Sequence, residues 1–224
     1  AIQFRNLLKK KKINLKIFTN KREITKNVQA NARNVRYEIL YNYCKKHKVK
    51  TLLTAHNMED QVETFLIRLS RGSGLKGLSA MKTVNKINSN LNLCRPLLDV
   101  KKKFLIKISK IYFGKYFNDP SNKNIKYLRT KVRNLKKPLE NSGIKYEQIF
   151  RSIYNLSLSK ATLDDYLKKI CKELIKKKDK EIFIDLKKYK SLNFDIKIAL
   201  INHSIKQLRD NYYDLRSKKL ENLI

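Results

Sequence analysis

Cysteine is scarce in this chain. Cys44, Cys94 and Cys171 stand far apart and form no C-x-x-C pair. This argues against a disulfide framework, a zinc knuckle or an iron–sulfur site, and suits a reducing cytoplasm. Long apolar runs are missing as well. No stretch approaches the roughly 18 residues of a membrane span, and the lysine-rich beginning lacks the apolar core of a signal peptide, so no membrane partner is expected. Of five glycines, three fall in RGSGLKG at 71–77 and none follows Gly143. Acid is short too, with 19 Asp and Glu against 53 Lys and Arg, a formal net charge of +34.

What is present is enough for a folded protein. The chain has 224 residues and is 42% hydrophobic, which suffices for one large domain or a medium domain with a smaller one. The excess of positive charge points to a polyanion such as nucleic acid. Because 41 of the basic residues are Lys, part of that excess reads as compositional bias on solvated faces.

Periodicity divides the chain in two. Residues 2–10 read as a helix, and INLKIFT at 13–19 alternates like a strand. Apolar residues from Val28 to Tyr43 recur at helical spacing, and TLLTA at 51–55 reads as a short strand buried on both faces of a parallel sheet. A helix then runs from about Met58 to Leu69. TVNKINSNLN, 83–92, reads as a surface loop or hairpin, 101–113 as a helix, and NDPSN at 118–122 as a turn. This order is α/β: a parallel-sheet nucleotide-binding domain over 1–140, followed by a mainly helical domain over 141–224.

The scarce acids are not scattered evenly. TAHNMEDQVETF, 54–65, holds Glu59, Asp60 and Glu63 just after a predicted strand, where open α/β sheets bind ligands. Glu63 lies three residues beyond Asp60 and four beyond Glu59, so it can share a helical face with either. Two physical readings stand side by side. The acids complement a helix N-terminus, or they hold a cation, either Mg²⁺ at Asp60 or a substrate ammonium. His56 borders them. Arg33, Arg36, Arg71, Arg95, Arg129 and Arg133 are candidate phosphate contacts, since the planar guanidinium suits phosphate oxygens and arginine is the minority base here.

AHNMEDQVETFLIRLSRGSGLKGLSAM, 55–81, resembles the AHHxDDQxETxLxRLxRGSGxxGLxGM segment of the tRNA(Ile)-lysidine synthetases, which are N-type ATP pyrophosphatases of the PP-loop superfamily. NARNVRYEIL at 31–40, RPLL at 95–98, and NDPSN with YLRTKVR at 118–133 are similar to further family elements in the same order. The resemblance implies an ATP- and Mg²⁺-dependent carbon–nitrogen ligase. Such an enzyme joins L-lysine to the 2-position of the wobble cytidine of the isoleucine tRNA with CAU anticodon, through an adenylated intermediate. It also implies that Asp60 and Glu63 hold lysine and that Arg33 and Arg129 act near the nucleotide or the activated base. Arg36, His56, Arg71, Arg95 and Arg133 are then assigned to nucleotide or tRNA.

The chain departs from the family pattern at Asn57, Glu59 and Thr130, and it contains no S-G-G-x-D-S phosphate loop. With a start at Ala1, this is the expectation for a fragment without ATP turnover of its own. Alternatives are another tRNA-modifying PP-loop enzyme, or a non-catalytic basic RNA-binding protein. Whether the chain forms a homodimer is left open by the sequence.

Overall fold

The computed structural model describes residues 2–20, 24–25, 28–118, 124–179 and 181–208. They fall into two compact units, Ala1–Ile153 and Tyr154–Ile224. Among the described residues, no helix is long and apolar enough to cross a membrane.

The first unit contains α1 (Ile2–Lys10), α2 (Val28–Lys46), β1 (Thr51–Leu53), α3 (Met58–Leu69), α4 (Leu75–Leu78), β2 (Val84–Asn88), β3 (Leu91–Cys94), α5 (Lys102–Phe113), α6 (Leu128–Asn134), α7 (Lys136–Asn141) and the start of α8 (Tyr146–Leu174). The sheet order is β1-β3-β2, with β1 parallel to β3 and β2 antiparallel to it. The α/β class holds, but the described sheet is mixed rather than all parallel. The 83–92 segment is a hairpin whose register slips between Lys86 and Asn88.

Two strand expectations change. TLLTA supplies only the three residues of β1, which lies at the sheet edge, and Leu53 is 64% exposed instead of buried on both faces. INLKIFT forms no strand among the described residues. Alternation sorts side chains between two faces, but a strand also needs a partner for its backbone groups. Here the segment lies by α2, with Phe18 edge-on to Tyr43 and the Lys16 ammonium 4.5 Å from the Tyr43 ring centroid. Of the expected turn at NDPSN, residues 119–122 lie outside the described residues.

α3 is the element on which the site depends. Its sequence places Met58, Val62, Phe65 and Leu66 on one stripe. Met58 and Val62 are buried with Tyr146 and Ile153 from the beginning of α8. Burying side chains of this size contributes about 1.5–3 kcal/mol each. The helix starts at Met58 because Asn57 closes a capping box: its side chain accepts from the Asp60 N–H at 3.1 Å, while Asp60 Oδ2 accepts from the Asn57 N–H at 3.0 Å.

The second unit has its own core of Cys171, Leu174 and Leu200. It is not helical throughout. β4 (Ile175–Lys178) and β5 (Glu181–Ile184) pair antiparallel, and α9 (Leu186–Lys190) and α10 (Phe194–Leu208) follow. The lysines of IKKK hide a strand from a search for helical periodicity, whereas the Ile–Phe–Ile run of β5 is its visible signal.

Candidate functional site

The parallel pair sets the location of the site. β1 and β3 end at Leu53 and Cys94 on the same side of the sheet, and His56, Asn57 and Arg95 follow immediately. Ligands in open α/β sheets occupy such carboxyl ends. The Thr54 N–H donates to the Cys94 carbonyl at 2.9 Å, and His56 Nδ1 lies 3.0 Å from Thr54 Oγ1, which orients the imidazole. Burial keeps the His56 ring below its usual histidine range. The Asp60 carboxylate opposes that effect, while Arg95, Arg33 and Arg129 reinforce it.

The acids on α3 meet bases from α6 and α7. Arg129 donates from Nε to Glu63 Oε2 and from Nη2 to Asp60 Oδ1, each at 2.9 Å. Arg133 donates from Nε to Glu63 Oε1 at 2.7 Å and from Nη2 to Oε2 at 3.0 Å. Glu63 thus accepts three guanidinium bonds with its side chain only 3% exposed, whereas that of Asp60 remains 20% exposed. Glu59 has a different role. Its Oε2 accepts the Lys102 backbone N–H at 2.8 Å at the start of α5, and Oε1 lies 3.4 Å from the Lys136 ammonium. Three carboxylates therefore face three cations. The bond from Glu63 also pushes the Arg133 pKa above its ordinary arginine value.

A cavity of about 280 Å³ opens beside the cluster, lined by Glu59, Glu63, Lys102, Arg133, Lys136 and Tyr146 among others. Tyr146 is 1% exposed, and its hydroxyl has no hydrogen-bond partner among the described residues. Burial, reinforced by Glu63, pushes its phenol up to about 12.

The structure brings Asp60, Glu63, Arg129 and Arg133 into one network. Arg33 and Arg95 act on His56 through charge, and Arg33 also lies 5.0 Å from the Tyr37 ring centroid. Arg95 is buried, donates from Nη1 to the Lys82 carbonyl at 2.9 Å, and has no partner for its Nε–H among the described residues. Arg36 and Arg71 are exposed, and among the described residues no hydrogen bond or ion pair ties either to the cluster.

A divalent cation does not fit the donor set as it stands. Both Asp60 oxygens are engaged by Asn57 and Arg129, and no three His, Cys, Asp or Glu converge among the described residues. Mg²⁺ prefers a largely oxygen shell, without guanidinium groups on the same carboxylate.

Two residues overlooked in the sequence support the site. Gln61 is buried, and its amide donates to the Met81 carbonyl at 2.9 Å and accepts the Met81 N–H at 2.8 Å. Arg68 Nη1 donates to the carbonyls of Gly77 and Ala80. Together they tie α3 to the segment after the glycine loop. Their signal was their polarity within the α3 pattern. In the loop, Gly72 has φ +66°, and a Cβ on Gly77 would come 2.6 Å from Ser73 Cβ, so glycine serves a sharp turn and a close approach.

This arrangement, an α/β unit with its charged groups at the carboxyl ends of a parallel pair, is that of a nucleotide-binding domain. The chain belongs to the PP-loop domain family, which it matches over residues 1–139. Its homologues include tRNA(Ile)-lysidine synthases. That of Wolbachia pipientis wMel is 35% identical over 201 residues, covering 89% of this chain and 46% of the relative. That of Orientia tsutsugamushi is 47% identical over 116 residues, 52% of this chain and 26% of the relative. The chain thus spans about half the length, or less, of these relatives. Among solved structures, a U34-tRNA thiolase of Methanococcus maripaludis, determined with its [4Fe-4S] cluster, superimposes with a TM-score of 0.54. At 21% identity it covers 69% of this chain and 54% of the other, a likeness of fold.

Proposed function

We propose that this protein acts in tRNA modification as an ATP-dependent ligase that joins L-lysine to the wobble cytidine of an isoleucine tRNA. The observation that carries this reading is the carboxylate–arginine network at the strand ends, built from the residues that match the lysidine synthase motifs. Residues 1–140 supply the nucleotide-binding part, and residues 141–224 contribute contacts to tRNA or substrate.

The two acids have unequal roles in this mechanism. Glu63 is saturated by two arginines and nearly buried, so it positions them. Asp60 is the more exposed, and each of its oxygens accepts only one of these bonds, which leaves lone-pair capacity for the lysine ammonium. Lysine must lose a proton before its ε-nitrogen attacks the cytidine C2, and a carboxylate in contact with the ammonium can take that proton. Arg129, one-third exposed beside Asp60, faces the position where phosphate charge develops during adenylation and release of AMP, with Arg33 assisting.

Calorimetric titration of residues 1–224 with L-lysine in the presence of tRNA tests the assignment. Asp60→Asn is expected to abolish lysine binding while tRNA binding survives; unchanged lysine binding would overturn it. We further infer that residues 1–224 make no lysidine from ATP, lysine and tRNA, since no S-G-G-x-D-S loop is present.

A further inference from the structure

α5 turns an unusual face to solvent. Lys103, Lys107 and Lys110, at helical positions i, i+4 and i+7, form one exposed stripe. Phe104, Ile108, Ile111 and Tyr112 form a second stripe beside it, with exposures of 50%, 48%, 66% and 65%. An amphipathic helix ordinarily points such apolar residues at the core. Here Leu105, Ile106 and Phe113 are the partly buried ones, while the outer apolar stripe stays about half or more exposed. The helix contains no acidic residue. Its first turn is anchored at the candidate site, where Glu59 Oε2 accepts the Lys102 N–H and the Met58 N–H donates to the Val100 carbonyl.

We propose that this face of α5 binds an unpaired stretch of RNA, with phosphates on the lysine stripe and bases against Phe104 and Tyr112. Charge and shape select this occupant. Residues 1–153 carry 36 Lys and Arg against 9 Asp and Glu, whereas residues 154–224 carry 17 against 10, so the attraction for a polyanion is strongest in the unit that bears α5. A second copy of the chain would bring like charge onto the lysines. Four apolar side chains on one short helix give only marginal hold on a bilayer. Lysines beside aromatic faces are the composition that binds single strands, where bases stack and the backbone is neutralised. A duplex hides its base faces and has no use for Phe104 or Tyr112. The helix is about 18 Å long, and a strand laid along it runs to the carboxylate–arginine network at its start. The identity of the RNA rests on the function proposed above; the surface itself does not.

The test is fluorescence anisotropy of residues 1–224 with a labelled single-stranded RNA, an equally long RNA duplex and, in parallel, vesicles containing phosphatidylserine. For Lys103→Gln/Lys107→Gln/Lys110→Gln, the slope of log K against log salt on the single strand should become shallower by about 2, near 0.7 for each lysine lost. The control Lys45→Gln/Lys46→Gln/Lys48→Gln should keep the wild-type slope. For Phe104→Ala/Tyr112→Ala, single-strand affinity should drop about tenfold or more at unchanged slope, with duplex binding unaffected. All these side chains are exposed, and circular dichroism verifies the fold. The proposal is overturned if the α5 variants match the wild type, if both lysine triples change the slope equally, or if the aromatic variant weakens only vesicle binding. Loss of lysine binding in Asp60→Asn moves none of these readouts, so the two proposals fail separately.

Discussion

Replacing Glu63 with Gln keeps the shape of the side chain and removes the charge on which α3 and α6 converge. Glu63 accepts three guanidinium bonds from Arg129 and Arg133 at 2.7–3.0 Å. In the variant one carboxylate oxygen becomes an NH₂ group, which sets donor against donor. Arg129 then keeps its bond to Asp60, while Arg133 loses both of its bonds to the residue 63 carboxylate. Removing one partner of a buried ion pair costs about 3–5 kcal/mol. The guanidiniums are 32% and 30% exposed, so water recovers part of that loss, and a cost near the lower end, about 3 kcal/mol, is expected. For a unit of this size the loss corresponds to a melting temperature lower by about 9 °C. Asp60→Asn should be far milder, about 1 kcal/mol. The amide oxygen can still accept the Asn57 N–H, and Arg129 retains its bond to Glu63. Urea and thermal denaturation of both variants, followed by far-UV circular dichroism, decide the matter. If Glu63→Gln costs less than about 1 kcal/mol, or Asp60→Asn costs as much, the division of labour between the two acids is wrong.

Tyr146→Phe should stabilise the first unit by about 1–2 kcal/mol in the same denaturation assay, because it removes a buried hydroxyl that has no partner among the described residues. It should also remove a loss of stability on the alkaline side: the phenol at about 12 in the folded state against 10 in the unfolded chain keeps its proton longer when folded, so stability declines as pH rises from 10 to 12. His56 works in the opposite direction. Its folded pKa is lowered by burial, so the unfolded chain takes up the proton first and stability falls as pH drops below 6.5. His56→Gln should flatten that part of the denaturation profile, and an unchanged profile would contradict the assigned environment.

The legible parts of the fold were those whose determinants lie close together in sequence. α3 could be read because Met58, Val62 and Phe65 keep helical spacing after an Asn that caps, and all of this lies within a dozen residues. The Asn57 that departs from the family's second histidine turns out to be that cap. Strand pairing is different. INLKIFT has the alternation of a strand and no ladder among the described residues, while IKKK has no alternation and forms one with EIFI. Pattern reports which face a residue prefers, and the partner is decided by the rest of the fold. The same limit applies to the site. Motifs placed Asp60, Glu63, Arg129 and Arg133 among the candidates, but not that the arginines would close on the acids across 66–70 residues of chain. The polarity of Gln61 within the α3 pattern marks the residue but not its partner, Met81, twenty residues on.

That closure bears on why a strongly basic chain concentrates acid in one place. The first unit has 9 acidic residues, and three of them stand on the first two turns of α3. A helix start alone would favour Glu59 and Asp60 there, at some tenths of a kcal/mol each. It would not favour Glu63, the most buried of the three. Glu63 is explained by α6, a two-turn helix with basic residues at 129, 131 and 133 and no acid of its own, which must be held against α3 in a unit with a large positive excess. Without a buried counter-charge, the approach of Arg129 and Arg133 to each other would be repulsive. With Glu63 between them it is attractive and geometrically fixed, because Arg129 reaches the carboxylate through one defined N–H direction and Arg133 through two. The cluster is therefore first a clamp that positions arginines. Its reactive capacity follows from the clamp: once Glu63 is saturated, Asp60 is hydrogen-bonded to a single arginine, at the surface, where a second cation can compete for it.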